Sequence, residues 1–311
     1  MIFKKDVERR GKMKKIGFSI DAEYILDLFK NKQKGFQLIN AIKNLGISHL
    51  EFYNFKYGAY GEGLTIYTEV FKQISKIIGV SLHFSPFARI SGSNLRETWK
   101  WRSRLNNFIL FAYNVNAFWV NMHMGEVDKC FDGDFIKEFC ESLFKIICRN
   151  NLAGIQMPLT IENSFQGYLQ RGIEYGISSK HFDDFFKCLD DFEEKKEMLM
   201  NVGLVIDVGH LNITGEGLES YKPFAARIKA FHFSDNLGKH DKGEIRDPHR
   251  VVGDGNIDWV YVMKFLNEYC SDSVLIIENK SIDDCIASLR EIKKMANAKR
   301  KSYNFTDNIR Y

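Results

Sequence analysis

Eight short strand-like runs, most of them separated by enough chain for a helix, restrict the fold more than any other feature. They are Lys15–Ile20, His49–Tyr53, Val80–Ser85, Trp119–His123, Leu159–Asn163, Gly203–Val208, Ala230–Phe233 and Val274–Glu278. The intervening segments carry apolar residues at three and four spacing. Examples are Phe36, Leu38, Ile39, Ile42 and Leu45, and then Phe135, Phe139, Leu143, Ile146 and Ile147. That period belongs to helices with one buried face. Strand and helix alternating eight times imply parallel pairing through right-handed crossovers, and eight such units close into a single α/β (β/α)8 TIM barrel. An open doubly wound sheet needs a glycine-rich phosphate turn after its first strand, and Gly17-Phe18-Ser19-Ile20-Asp21 offers none.

With four prolines and no Ser/Gly-rich linker, nothing marks an internal boundary. The expected layout is a basic extension over residues 1–13, the barrel over 14–298, and a loose tail or strap over 299–311, where the helical period is lost. The N-terminus is charged but has no apolar core followed by a small-residue cleavage site, so it does not read as a secretory signal. No apolar run approaches the roughly 18 residues of a membrane span. A soluble, cytoplasmic protein is expected, and its six cysteines, none in CxxC spacing, read as buried free thiols. The 44 basic and 40 acidic residues nearly balance, so charge alone does not call for nucleic acid as a partner.

Between Val205 and Trp259 the chain reads VIDVGH, KAFHFSDN and RDPHRVVGDGNIDW, which sets Asp207, His210, His232, Asp247 and His249 at strand ends or in the following loop. Carboxylate and imidazole are the donors that zinc, manganese or ferrous iron accept. Strand ends are also where barrel enzymes keep their chemistry. Earlier strands add His83, His123 and Glu162, and the last ends at Glu278. Burying so many ionisable groups at one mouth costs several kcal/mol unless a cation or partners compensate. Glu162 and Glu278 close matched contexts, LTIENS and LIIENK, where a desolvated carboxylate either raises its pKa or binds a metal.

Other polar residues carry weaker signals. Glu51 is divided between substrate contact and structural hydrogen bonding. His49 and His181 read as ordinary surface or helix-end residues. Arg246, Arg250 and Lys280 read as solvated loop charges that stand where they could hold a phosphate or sugar carboxylate, and the direction of His240 and Asp241 is undetermined. Thr98–Arg104, TWKWRSR, reads as helix packing plus a solvated face rather than a nucleic-acid patch.

The ordered series His83, His123, Glu162, Asp207-x-x-His210, His232, Asp247-x-His249 and Glu278 resembles the xylose-isomerase-like barrel superfamily, which contains sugar-phosphate isomerases and epimerases and the endonuclease IV family. The likeness runs from about Lys15 to Met295 and is strongest in IDVGH, HFSDN and VVGDGNIDW. It implies a divalent metal (manganese, zinc, iron or cobalt) held by Glu162, Asp207, His232 and Glu278, with the two glutamates as acid and base. In the endonuclease IV branch it implies further ions, up to three in all, held by His83 and His123 sharing Glu162 and by His210 with Asp247 and His249. The loop NLGKHDKGEIRDPH is longer than the compact isomerase version, and YNFKYGAYGEG lacks the arginine-aromatic pattern of the DNA-penetrating loop.

The leading expectation is therefore a metal-dependent isomerase or epimerase of a small sugar, polyol or sugar phosphate, in which His210 stabilises an enediolate oxygen. The alternative is an endonuclease IV-like phosphodiester hydrolase, for which nucleic acid would be the partner. A non-catalytic metal-binding protein is the third class, and an oligomer is compatible with all three.

Overall fold

The structure is a computed structural model that describes residues 15–55, 63–84, 95–128, 134–165, 172–192, 199, 201–238 and 247–307. Ten strands form among the described residues: β1 Ile16–Asp21, β2 His49–Tyr53, β3 Gly79–Phe84, β4 Val120–His123, β5 Gly125–Asp128, β6 Leu159–Glu162, β7 Gly172–Tyr175, β8 Val202–Asp207, β9 Ile228–Phe233 and β10 Val274–Ile277. Eight of them close a barrel in the order β1-β2-β3-β4-β6-β8-β9-β10, with β10 pairing back onto β1. Every barrel pairing is parallel. This is the (β/α)8 TIM barrel that the alternation of the sequence predicts.

The two further strands, β5 and β7, pair antiparallel in a separate ribbon just beyond the ends of β4 and β6. At four residues each they are too short for a two-residue period to announce them.

Burial explains why the runs become strands. All six residues of β8, VGLVID, are buried, as expected of a parallel strand covered on both faces. Alternate side chains separate into two apolar sets. Trp119, Val205, Ala230, Val274 and Ile276 form a small cluster of their own inside the barrel, whereas Leu204, Ile206, Phe231, Leu275 and Ile277 join the large core beneath the helices. In that outer core the helix Phe135–Leu152 buries Phe139, whose ring packs 5.7 Å from Phe185 and 5.7 Å from Trp101. Phe139→Ala would cost about 3–5 kcal/mol by leaving a cavity there.

Asp21, Asp134, Asp207 and Asp258 each accept a backbone N–H from the first turn of the helix that follows, which sets where each strand or loop turns into a helix. The last helix runs Ile282–Asp307, so helical structure continues past Ala298, where the apolar period of the sequence fades. Among the described residues no helix is long and apolar enough to cross a membrane. The five described cysteines are free thiols. His240, Asp241 and Arg246, and residues 56–62 of the loop after β2, lie outside the described residues.

Candidate metal centre

Parallel register brings the polar strand ends level. His123 stands beside Glu162 across β4 and β6, and Asp207 beside His232 across β8 and β9. Among the described residues three donor groups result, each with ligand atoms within 4.8 Å of one another: His83, His123 and Glu162; then Glu162, Asp207, His232 and Glu278; then Asp207, His210 and Asp247. Glu162 and Asp207 each belong to two groups, so the three form one continuous line across the mouth. The central group alone has four donors.

His232 lies at its heart. Its Nδ1 is 2.7 Å from Glu278 Oε2 and 3.2 Å from Glu162 Oε1, while its Nε2 is 2.8 Å from Glu51 Oε1. Burial opposes protonation of this ring, but the carboxylates of Glu162, Glu278 and Glu51 outweigh it and hold the pKa well above the usual imidazole range. The same contacts act in reverse on the acids. Burial would raise Glu162 and Glu278, yet His232 overrides it, holding Glu162 well below the usual carboxylate range and Glu278 at about 2. Both glutamates are therefore ionised without a metal, where burial alone would have raised them. The neighbouring imidazolium is the reason.

Asp207 is split between two tasks. As the cap of the helix Val208–Thr214 its Oδ1 accepts the His210 backbone N–H at 2.8 Å. Its Oδ2 is buried with no hydrogen-bond partner, and burial, with Asp247, Glu162 and Glu278 nearby, lifts its pKa to about 6. Asn163 fixes this aspartate by bonding its backbone twice, at 3.0 and 2.6 Å. Burial would lower His210, but Asp207, Glu162 and Asp247 raise it to about 9, and its Nδ1 is anchored on the Asn163 carbonyl at 2.8 Å. His123 lacks that degree of compensation, and burial drops it to about 3.

The donor set fits a divalent cation. It combines carboxylate and imidazole in one group, leaves a buried carboxylate oxygen without a partner, and leaves both ring nitrogens of His83 buried without hydrogen bonds. Such atoms normally find partners. Gly209 is part of the construction, because a Cβ there would collide with Asp247, Ser234 and Asn236.

His249 departs from the arrangement that the resemblance implies, since Asp207 takes its place in the third group. It adopts φ +46, with its N–H on Asp247 Oδ1 at 2.9 Å and its carbonyl accepting from Asn279. Asp247 itself is buried and held by Asn236 at 3.4 Å. Asp235 organises the start of this loop: its carboxylate accepts from Gly253 N–H at 2.8 Å and Trp259 Nε1 at 2.7 Å, which gives GDGNIDW a structural purpose. Arg250 and Lys280 are exposed.

Two inward-facing residues had no strong signal in the sequence. Asn121 donates to Glu162 Oε2 at 2.5 Å and is itself held by Thr160 at 2.9 Å. Glu51 is fully buried and accepts the Ser81 hydroxyl at 3.0 Å, the structural hydrogen bonding that is one of its two readings. His49 is a correction, because it is buried inside the barrel rather than at the surface, stacked 4.6 Å from Trp119. His181 does lie in the first turn of a helix.

Comparison with known proteins agrees with the fold. The sequence profile of the family described as "xylose isomerase-like TIM barrel" matches residues 39–299. Among solved structures, a D-tagatose 3-epimerase-like protein is 20% identical with a TM-score of 0.68, covering 94% of this chain and 100% of that one. L-ribulose 3-epimerase is 15% identical (TM-score 0.69; 96% and 100% covered), and endonuclease IV from Thermus thermophilus is 15% identical (TM-score 0.63; 91% and 99% covered). At such identities the likeness is one of fold. The uncharacterized protein MJ1311 of Methanocaldococcus jannaschii is 27% identical over 198 residues, which span 60% of this chain and 60% of that protein.

Proposed function

Because this chain belongs to the xylose isomerase-like TIM barrel family, we propose that it is a divalent-metal-dependent isomerase or epimerase of a small sugar, polyol or sugar phosphate. One observation carries the reading. Glu162 and Glu278, on strands well apart in sequence, sit in one four-donor group on the same ring nitrogen of His232. Glu162, Asp207, His232 and Glu278 would hold the ion. When bound, it would polarise a substrate carbonyl and make the neighbouring C–H more acidic.

The chain's own groups then move the proton. Glu278, whose side chain is 15% exposed, is the acid that solvent and substrate can reach, while Glu162 at 1% is enclosed. An ionised glutamate accepts the proton alpha to the carbonyl, and the other, once it has taken up a proton from solvent, returns one to the opposite face or to the adjacent carbon. His210 is protonated at neutral pH and bound to Asn163 through Nδ1, so its Nε2–H is left to donate to the developing enediolate oxygen.

Incubation of manganese-, zinc- or cobalt-loaded protein with a panel of sugars and sugar phosphates in deuterated water checks this reading. Solvent deuterium should enter at least one substrate, and Glu278→Gln should abolish its entry. No deuterium in any sugar, together with robust phosphodiester cleavage, would reject it.

A second reading, an endonuclease IV-like phosphodiester hydrolase, is favoured by the two flanking donor groups, which a one-metal reaction does not need. It requires duplex DNA binding that weakens steeply with salt. Binding that is absent or indifferent to salt excludes it.

A further inference from the structure

We propose that Glu51, braced from below by Ser81 and His49, is a positioning residue that fixes which ring nitrogen His232 presents to the metal centre. The assignment rests on reading the mouth as a metal site. Alternation puts His49 and Glu51 on the inner face of β2, and Gly79, Ser81 and His83 on the inner face of β3, with Glu51 beside Ser81 in register. A TIM barrel normally fills this interior with branched apolar side chains. Here a column of polar groups runs from floor to mouth, and every member but the glycine is buried. Burying them costs free energy unless they bond to one another.

They do so in one direction. The Ser81 hydroxyl donates to Glu51 Oε2 at 3.0 Å, so its oxygen is left to accept from His49 Nε2 at 2.8 Å. Gly79 makes room for that imidazole, since a Cβ there would stand 2.9 Å from His49 Nδ1. The other oxygen of Glu51 faces upward to two rings. It is 2.8 Å from His232 Nε2, close but off the line of a directed hydrogen bond, and 3.9 Å from His83 Nδ1.

The two rings present opposite nitrogens to this one carboxylate. His232 turns Nδ1 toward Glu162 and Glu278, and His83 turns Nε2 toward Glu162 Oε2 at 3.5 Å. When an ion takes the place of the Nδ1 proton of the His232 imidazolium, a proton kept on Nε2 by Glu51 leaves the lone pair on the nitrogen that faces the donors. Carboxylates behind metal-binding histidines commonly act this way, and losing one typically costs 10–100-fold in metal affinity. Glu51 stands at His232 Nε2, the ring nitrogen turned away from Glu162 and Glu278, so it acts through that histidine.

Zinc affinity measured by competition with a chromophoric chelator, together with the visible spectrum of the cobalt-loaded protein, tests the assignment. Glu51→Gln keeps the shape and removes the charge, and should weaken zinc by about 10–100-fold and shift the cobalt bands. Ser81→Ala should weaken zinc by about threefold to tenfold, as the remoter member. Circular dichroism and the unfolding midpoint of the metal-free proteins monitor the fold. Zinc binding by Glu51→Gln within about twofold of wild type would overturn the assignment. If that variant does not fold, an unchanged affinity in Ser81→Ala overturns it instead. A wild-type chain that binds zinc but exchanges no deuterium with sugars would remove the sugar chemistry and leave Glu51 in place. A wild-type chain that binds no zinc removes both.

Discussion

The dipeptide Glu-Asn follows an apolar strand twice, at Glu162–Asn163 and at Glu278–Asn279, and the two copies are put to different use. Glu162 is enclosed and stands against His232, Asn121, His83 and His123. Glu278 is partly open, and its close partner is His232. Asn163 reaches across to the backbone of Asp207, whereas Asn279 holds the carbonyls of His249 and Arg250 and is itself held by Ser288. The neighbours make the difference. β6 lies between two donor-bearing strands, β4 and β8, while β10 has β9 on one side and, on the other, β1, which brings no residue to the donor groups. A local motif thus sets the residue type, and its place in the barrel decides whether that residue links the metal groups or opens toward substrate.

The strongest way to break this contrast is Glu162→Gln. It removes a donor from two groups at once, so zinc affinity should fall by more than about 100-fold, beyond the loss expected for an outer-shell partner. Calorimetric titration would show the contrast to be wrong if Glu278→Gln lost as much. Glu278→Gln should instead retain measurable metal while turnover, once a substrate is found, drops by about 100- to 10,000-fold as for a lost acid or base. The asparagines sharpen the comparison at smaller cost. Asn163→Ala and Asn279→Ala each abandon buried hydrogen bonds worth about 1–3 kcal/mol in urea unfolding. Only Asn163→Ala should also weaken zinc, because it alone frees Asp207.

A pH dependence serves as a control on both variants. Burial, helped by Lys15, depresses His49 from 6.5 to about 3. Its contribution to stability is full above pH 6.5 and declines as pH falls toward 3, because the unfolded chain takes up the proton that the folded one refuses. One proton is a slope of about 1.4 kcal/mol per pH unit. His49→Phe should remove that slope equally in the Glu162→Gln and Glu278→Gln backgrounds. A slope that survives His49→Phe would place its origin elsewhere.

The barrel was legible because strand and helix alternate with a fixed rhythm, and the donors because they stand at the ends of apolar runs or just beyond them. Their supports were less so. Glu51 is one acid in HLEFY, and nothing nearby in sequence shows that His232, far along the chain, will land 2.8 Å from it. His49 opens the same strand, and its burial depends on Gly79 and Trp119 of other strands. The ribbon of β5 and β7 escaped notice because the pairing of Glu126 with Glu174 is not local. His249 fits the motif by spacing, but Asp207, and not this ring, joins His210 and Asp247 in the third group.

Metal content per chain tests the central claim most directly. After loading and exhaustive dialysis, elemental analysis should find at least one tightly held transition-metal ion in each wild-type chain. One ion supports the four-donor centre with sugar chemistry, and three would move the assignment to phosphoester cleavage. A well-folded wild-type protein that retains none would contradict the account.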